Sequence, residues 1–175
     1  MKEIYKNLFV GDDTDCSVCL MNSEFSIIHA CKTCHQRALK YKGSLSPVHP
    51  NYLIYEYGAH LYLNMVDMSN ELLPKYTNPI FKSAISFINR EINDKKVLIH
   101  CNQGQSRSQS LGLIYLAINN IITKKSFEEA RMEYTKLFPE YAPGTGIMLY
   151  MQHNWNYLVN ELQEPAHDRQ NPANP

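Results

Sequence analysis

One stretch constrains this chain more than any other: Val97-Leu98-Ile99-His100-Cys101-Asn102-Gln103-Gly104-Gln105-Ser106-Arg107-Ser108. It opens as a short apolar run of β-type residues that ends at His100. It continues as a polar loop with one glycine, Gly104. It then enters Leu111–Ile118, which is apolar nearly all round and reads as a buried helix. A strand, a tight polar loop and a buried helix in that order suit the binding of an anion. Loop N–H groups can converge on one point, and the first helical turn adds its unpaired N–H groups and the positive end of its dipole.

The side chains in the loop sharpen that expectation. Cys101 stands at the strand end, facing the ring of donors, and donors that favour a phosphate also favour a thiolate over a thiol. Arg107 supplies a planar fork able to hold two oxygens of a tetrahedral anion. Ser108 follows directly, with a hydroxyl in reach of the Cys101 sulfur. The residues describe a cysteine nucleophile at the bottom of an oxyanion cradle. An ordinary buried cysteine would leave unexplained why an arginine follows six residues on, at the mouth of a buried helix.

His100-Cys101, Gly104 and Arg107-Ser108 match the H-C-x-x-G-x-x-R-[S/T] signature, and here the chain resembles the protein tyrosine phosphatase superfamily. Its short length resembles the dual-specificity branch. The resemblance implies phosphate-monoester hydrolysis through a cysteinyl-phosphate, with Cys101, Arg107, Asp67 and Ser108 as catalytic residues. Phosphate binding would fall to Asn102, Gln103, Gly104, Gln105, Ser106 and Arg107, with His100 supporting the loop from behind. No metal and no cofactor are expected. Two other classes stay open: a non-catalytic phosphate-binding module, and a zinc or thiol-redox protein.

Asp67 enters by its position. Release of an alkoxide or phenoxide needs a proton, which a carboxylic acid above the cradle can supply. In the resembled family that acid is an aspartate just after a strand, one helix and one strand before the cysteine. Leu61–Val66 reads as such a strand, and Asp67 follows it. Glu71 is the reserve, and Asp94 lies too near the Val97 strand.

The remaining sequence sets limits. The 175 residues suggest one domain over 1–162 and a polar, proline-rich, disordered tail over 163–175. Seventeen basic residues balance seventeen acidic ones, so no electrostatic footprint for nucleic acid is present. No apolar run approaches the length of a membrane span, and the N-terminus lacks an apolar signal core. A cytoplasmic protein with a phosphorylated protein or other phosphate monoester as partner is expected; the oligomeric state stays open.

Two C-x-x-C pairs, Cys16/Cys19 and Cys31/Cys34, have the spacing of a zinc site. The first pair is expected to start a helix and the second to end a strand, which would keep the four sulfurs apart. Buried, reduced cysteines are the plainer reading, with zinc binding and a redox disulfide to Cys101 left open.

Helices alternate with strands between Phe25 and Ser108, which predicts an α/β domain with a central, mostly parallel sheet flanked by helices. Asn78-Pro79 is expected to open the helix before the Val97 strand. Ser126 and Glu129 form a capping-box pattern for a helix that turns Phe127, Ala130, Tyr134 and Leu137 inward. Pro143-Gly144-Thr145-Gly146 is either a rim of the pocket or a simple turn. One last helix is expected over 147–162. The loop's variable residues are all uncharged, which favours a singly phosphorylated target such as a phosphorylated side chain.

Overall fold

The computed structural model describes residues 1–162; the expected tail at 163–175 lies outside the described residues. Strands β1 (Lys2–Tyr5) and β2 (Leu8–Gly11) form an antiparallel hairpin. Its turn is made by Asn7 in the left-handed region, φ 64°, which asparagine tolerates better than most residues. Helix α1 (Asp13–Cys19) begins with a full capping box: Asp12 accepts from the N–H groups of Thr14 and Asp15, and Asp15 accepts in return from Asp12 N–H.

Strand β3 (Phe25–His29), helix α2 (Lys32–Leu39), strands β4 (Ile54–Tyr57) and β5 (His60–Leu63), helix α3 (Pro74–Glu91) and strand β6 (Lys96–His100) follow. Helices α4 (Arg107–Ile118), α5 (Phe127–Leu137), α6 (Thr145–His153) and α7 (Trp155–Asn160) complete the described chain. The sheet order is β1-β2-β6-β3-β5-β4. The inner pairings β2–β6, β6–β3 and β3–β5 are parallel, and both edge pairings are antiparallel. The α/β class with a mostly parallel centre is thus the observed one. The central strands are buried on both faces, so β3 and β6 read as nearly continuous apolar runs. Ile28, Val97 and Ile99 join the large core that also takes in side chains of α3 to α7. Ile27 and Leu98, one residue out of phase, pack instead with Cys16 and Cys19 of α1. No helix among the described residues is long and apolar enough to cross a membrane.

Several local expectations are corrected. The second C-x-x-C pair does not end a strand; Cys31 is the N-cap of α2 and Cys34 lies in its first turn. Helix α2 is short, buries Cys34 and His35 in place of aliphatic residues, and ends on Lys40 at φ 57° with no glycine. It therefore lacks the usual start, stripe and stop. Helix α3 starts at Pro74, not at Asn78-Pro79. Pro74 fits the first turn, and Thr77 Oγ1 donates to the Leu73 carbonyl at 3.0 Å. Pro79 removes one bond near that end, while Asn78 accepts from Tyr150 Oη at 2.6 Å. The expected core face Phe81, Ala84, Ile85, Ile88 and Ile92 is buried.

Ser126 caps α5 by accepting from Glu129 N–H at 3.2 Å. Leu137, expected inward, is exposed because α5 ends there and Phe138 takes the buried place. The last helix is two, broken at Asn154, beside the point where Trp155 Nε1 donates to the Lys124 carbonyl at 2.9 Å.

Candidate active site

The carboxyl ends of β2, β6 and β3 meet at one edge of the sheet, and the 101–106 loop leaves from the middle of the three. Cys101 is buried, and its N–H donates to the Gly11 carbonyl at 3.3 Å. Gly104 adopts φ 70°, and a Cβ there would stand 3.0 Å from the Gly11 carbonyl oxygen. A side chain at 104 would therefore meet both steric and conformational resistance. The far side of the loop is held by Ala142 N–H, which donates to the Gln105 carbonyl at 3.0 Å.

Helix α4 begins at Arg107 without a side-chain cap. Ser106 holds the N-cap position, but its hydroxyl donates to Asp67 Oδ1 at 2.9 Å and accepts from Gly144 N–H at 3.0 Å. The helix start thus keeps N–H groups that a capping serine would have engaged, which is the condition for binding an anion there. Gly112, one turn further, lets the helix approach the sheet: a Cβ would meet Ile4 Cδ1 at 2.6 Å.

Ser108 Oγ lies 3.3 Å from Cys101 Sγ and 3.3 Å from the Gly11 carbonyl. The Arg107 guanidinium is buried and held from three sides. It donates to Asn102 Oδ1 at 2.8 Å and to the Met65 carbonyl at 3.3 Å, and Nε stands 3.0 Å from Asp67 Oδ2. That last contact is an ion pair only, since the Nε–H axis misses the carboxylate and Nε makes no hydrogen bond. Gly144 approaches Asp67 so closely that a Cβ would sit 2.8 Å from Oδ1.

Cys101, Arg107, Ser108, Ser106, Asn102, Gly104 and Asp67 are therefore gathered in one place. Gln103 and Gln105 belong to the same loop but turn exposed side chains outward, beside Asp12, Asp15 and Glu140. The reserve acid, Glu71, is paired with His153 Nδ1 at 2.9 Å. Asp94 lies at the opposite end of β6 from Cys101.

Behind the loop His100 is fully buried. The β3–β6 register sets it opposite His29, and His29 Nδ1 and His100 Nε2 are 2.8 Å apart. His29 Nε2 continues to His60 Nδ1 at 3.1 Å. Burial, together with the neighbouring His100 and His60, pushes His29 down to about 2, and burial also lowers His100 against the pull of Asp13. Both rings are neutral at pH 7, and one proton lies in the hydrogen bond between them.

The sequence did not point to the Gly11 and Met65 carbonyls, nor to His29. Backbone acceptors carry no side-chain signal, although Gly11 before a capping Asp12 marked a tight turn. For the 143–146 segment, the rim is the observed alternative: Gly146 N–H donates to the Met68 carbonyl at 2.8 Å, and Leu72 N–H to the Gly146 carbonyl at 3.3 Å.

No family model matches the chain. Solved structures do. DUSP15 superposes with a TM-score of 0.62 at 18% identity, over 93% of this chain and 91% of that one. Human DUSP28 gives 0.59 at 17% identity, over 92% and 99%. The human tyrosine phosphatase-like serine/threonine/tyrosine-interacting protein gives 0.59 at 19% identity, over 91% and 97%. The chain has the dual-specificity phosphatase fold.

Proposed function

We propose that residues 1–162 form a cysteine-dependent phosphatase that hydrolyses phosphate monoesters, in particular phosphorylated side chains of proteins. The observation that carries the reading is the grouping of Cys101, Ser108, Arg107 and Asp67 around the uncapped start of α4. In the first step the Cys101 thiolate attacks phosphorus, forming the S–P bond as the P–O bond to the leaving group breaks. The α4 and loop N–H groups and Arg107 hold the three equatorial oxygens, and Asp67 protonates the departing oxygen. In the second step Asp67 takes a proton from water, whose oxygen attacks phosphorus and releases the thiolate. Ser108, 3.3 Å from the sulfur, donates to that thiolate. His100 orients the loop from behind.

Two surroundings support a target with a single phosphoryl group on a side chain. The loop's exposed residues Asn102, Gln103 and Gln105 are neutral and offer no cation for a second phosphate. The neighbours of Asp67, Val66 and Met68, line a cleft of about 510 Å³ with Lys32, Tyr52, Leu72 and Tyr76, suited to a peptide's apolar side chains. The free thiols at all five cysteines favour a reducing compartment such as the cytoplasm.

The test is hydrolysis of a generic aryl phosphate and of a panel of phosphopeptides, phosphoinositides and nucleotides. Turnover of aryl phosphate and phosphopeptides is expected; binding without turnover would instead establish the phosphate-binding module. Asp67→Asn should lower kcat by roughly 10²–10³-fold on phenyl phosphate, whose leaving group needs the proton, and far less on p-nitrophenyl phosphate. An equal loss on both would remove Asp67 from the acid's role.

Gly146→Ala tests how the acid is held. An added Cβ would clash with the Asn70 and Met68 carbonyls and push the 67–70 loop outward. Since a misplacement of ~1 Å can cost ~10²-fold in rate, kcat on phenyl phosphate should fall ~10–100-fold. In an Asp67→Asn background the same change should have little further effect.

A further inference from the structure

We propose that Cys31, Cys34, His100 and Asp13 form a transition-metal site of zinc type, directly beneath the 101–106 loop. Each of the four offers a ligand atom, and all four atoms lie within 4.8 Å of one another. Tetrahedral zinc with sulfur, nitrogen and oxygen ligands needs ligand separations of about 3.3–3.8 Å. A contraction of about 1 Å by side-chain rotation closes the set.

The local fold explains the convergence. Cys31 is the N-cap of α2 and Cys34 lies three residues on, so both sulfurs face the same side of the helix start. On that side Cys34 Sγ stands 4.0 Å from Nε2 of His100, at the end of β6. Asp13, in the first turn of α1, brings Oδ1 to 3.3 Å from Nδ1 of the same ring.

A second observation points independently to a ligand. His100 is fully buried, yet its Nδ1 has no hydrogen-bond partner. It stands 3.3 Å from Asp13 Oδ1, but not along an N–H axis. A cation between nitrogen and carboxylate would satisfy both atoms where a proton on Nδ1 does so poorly. His100 Nε2 is already engaged with His29, 2.8 Å away. A metal-bound histidine commonly has its other nitrogen held by such a partner. The donor set agrees: two thiols, an imidazole nitrogen and a carboxylate are ligands that zinc takes, and the ion's charge would favour both thiolates. A cleft of about 260 Å³ lined by Asp13, Cys34, Arg37, Tyr62 and His100 gives the ion a path in.

The four cysteines do not form one site. Cys19 lies apart, its sulfur 3.8 Å from Met1 Sδ. Cys16 belongs to a second grouping, with His29 and His100. The site therefore departs from the expectation of no metal, and from a four-cysteine arrangement as well.

The test is a Co²⁺ titration of the full, reduced, chelator-treated chain, followed by Zn²⁺ displacement. Expected are one ion per chain, sulfur-to-cobalt charge transfer in the near ultraviolet, and the visible bands of tetrahedral cobalt. Cys31→Ser and Cys34→Ser should each weaken Zn²⁺ binding at least 100-fold, Asp13→Asn about 10-fold, and Cys19→Ser not at all. Three results would overturn the proposal. The first is a wild-type chain without the charge-transfer band, which needs no variant to fold. The second is a band that survives in both Cys31→Ser and Cys34→Ser. The third is loss in Cys16→Ser with Cys31→Ser unaffected, which would move the ion to the other grouping. None of these readouts depends on phosphatase activity.

Discussion

Cys101→Ser should abolish turnover of an aryl phosphate, by ~10⁴-fold or more, while leaving phosphopeptide binding largely intact. A serine hydroxyl needs a base to become a nucleophile. None stands ready: the adjacent His100 turns its ring away, toward His29 and Asp13, and the side chain beside Cys101 Sγ is the Ser108 hydroxyl. The anion contacts belong to other groups, namely the α4 start and Arg107, and a sulfur-to-oxygen exchange does not disturb them. Single-turnover kinetics and calorimetric titration of the variant with a phosphopeptide read the two quantities separately. Wild-type turnover in Cys101→Ser would end the mechanism. Loss of binding together with turnover would mean that the loop had been distorted, and intact circular dichroism would then locate the damage there.

Arg107→Lys should lower kcat/KM by roughly 10³-fold, with both affinity and kcat affected. The guanidinium spans Asn102 Oδ1, the Met65 carbonyl and Asp67 Oδ2 at once. An ammonium is a single point and cannot span them while also binding two phosphoryl oxygens. The charge is retained, so the loss isolates geometry. A urea melt of the variant should show a change far smaller than the activity loss implies. A kcat/KM within threefold of wild type would show that the arginine serves the loop's structure and not the phosphoryl group.

How much of this was readable from sequence follows from range. The cradle could be read because its parts are close in the chain: strand end, glycine, arginine and helix start follow one another within a few residues. Asp67 was chosen because, as in the resembled family, it follows a strand and one helix, α3, separates it from β6. The histidine chain was not, since His29, His60 and His100 come from three strands and meet only through the sheet register. Helix α2 escaped because its buried positions are Cys34 and His35, which carry no aliphatic periodicity. The start of α3 was misplaced because Asn78-Pro79 imitates a helix opening, while Pro74 supplies the real one behind a Leu73 that makes no side-chain cap.

The bonds that fasten residues 68–72 to Gly146 reach further than the loop itself. Gly146 lies in the first turn of α6, whose Ile147, Tyr150 and Met151 are anchored in the interior. On the proposed mechanism, the height of the Asp67 carboxyl group over its guest would thus depend on how α6 is seated in the interior. Repacking the interior beneath α6 would then retune the proposed proton delivery without altering any residue in the cradle.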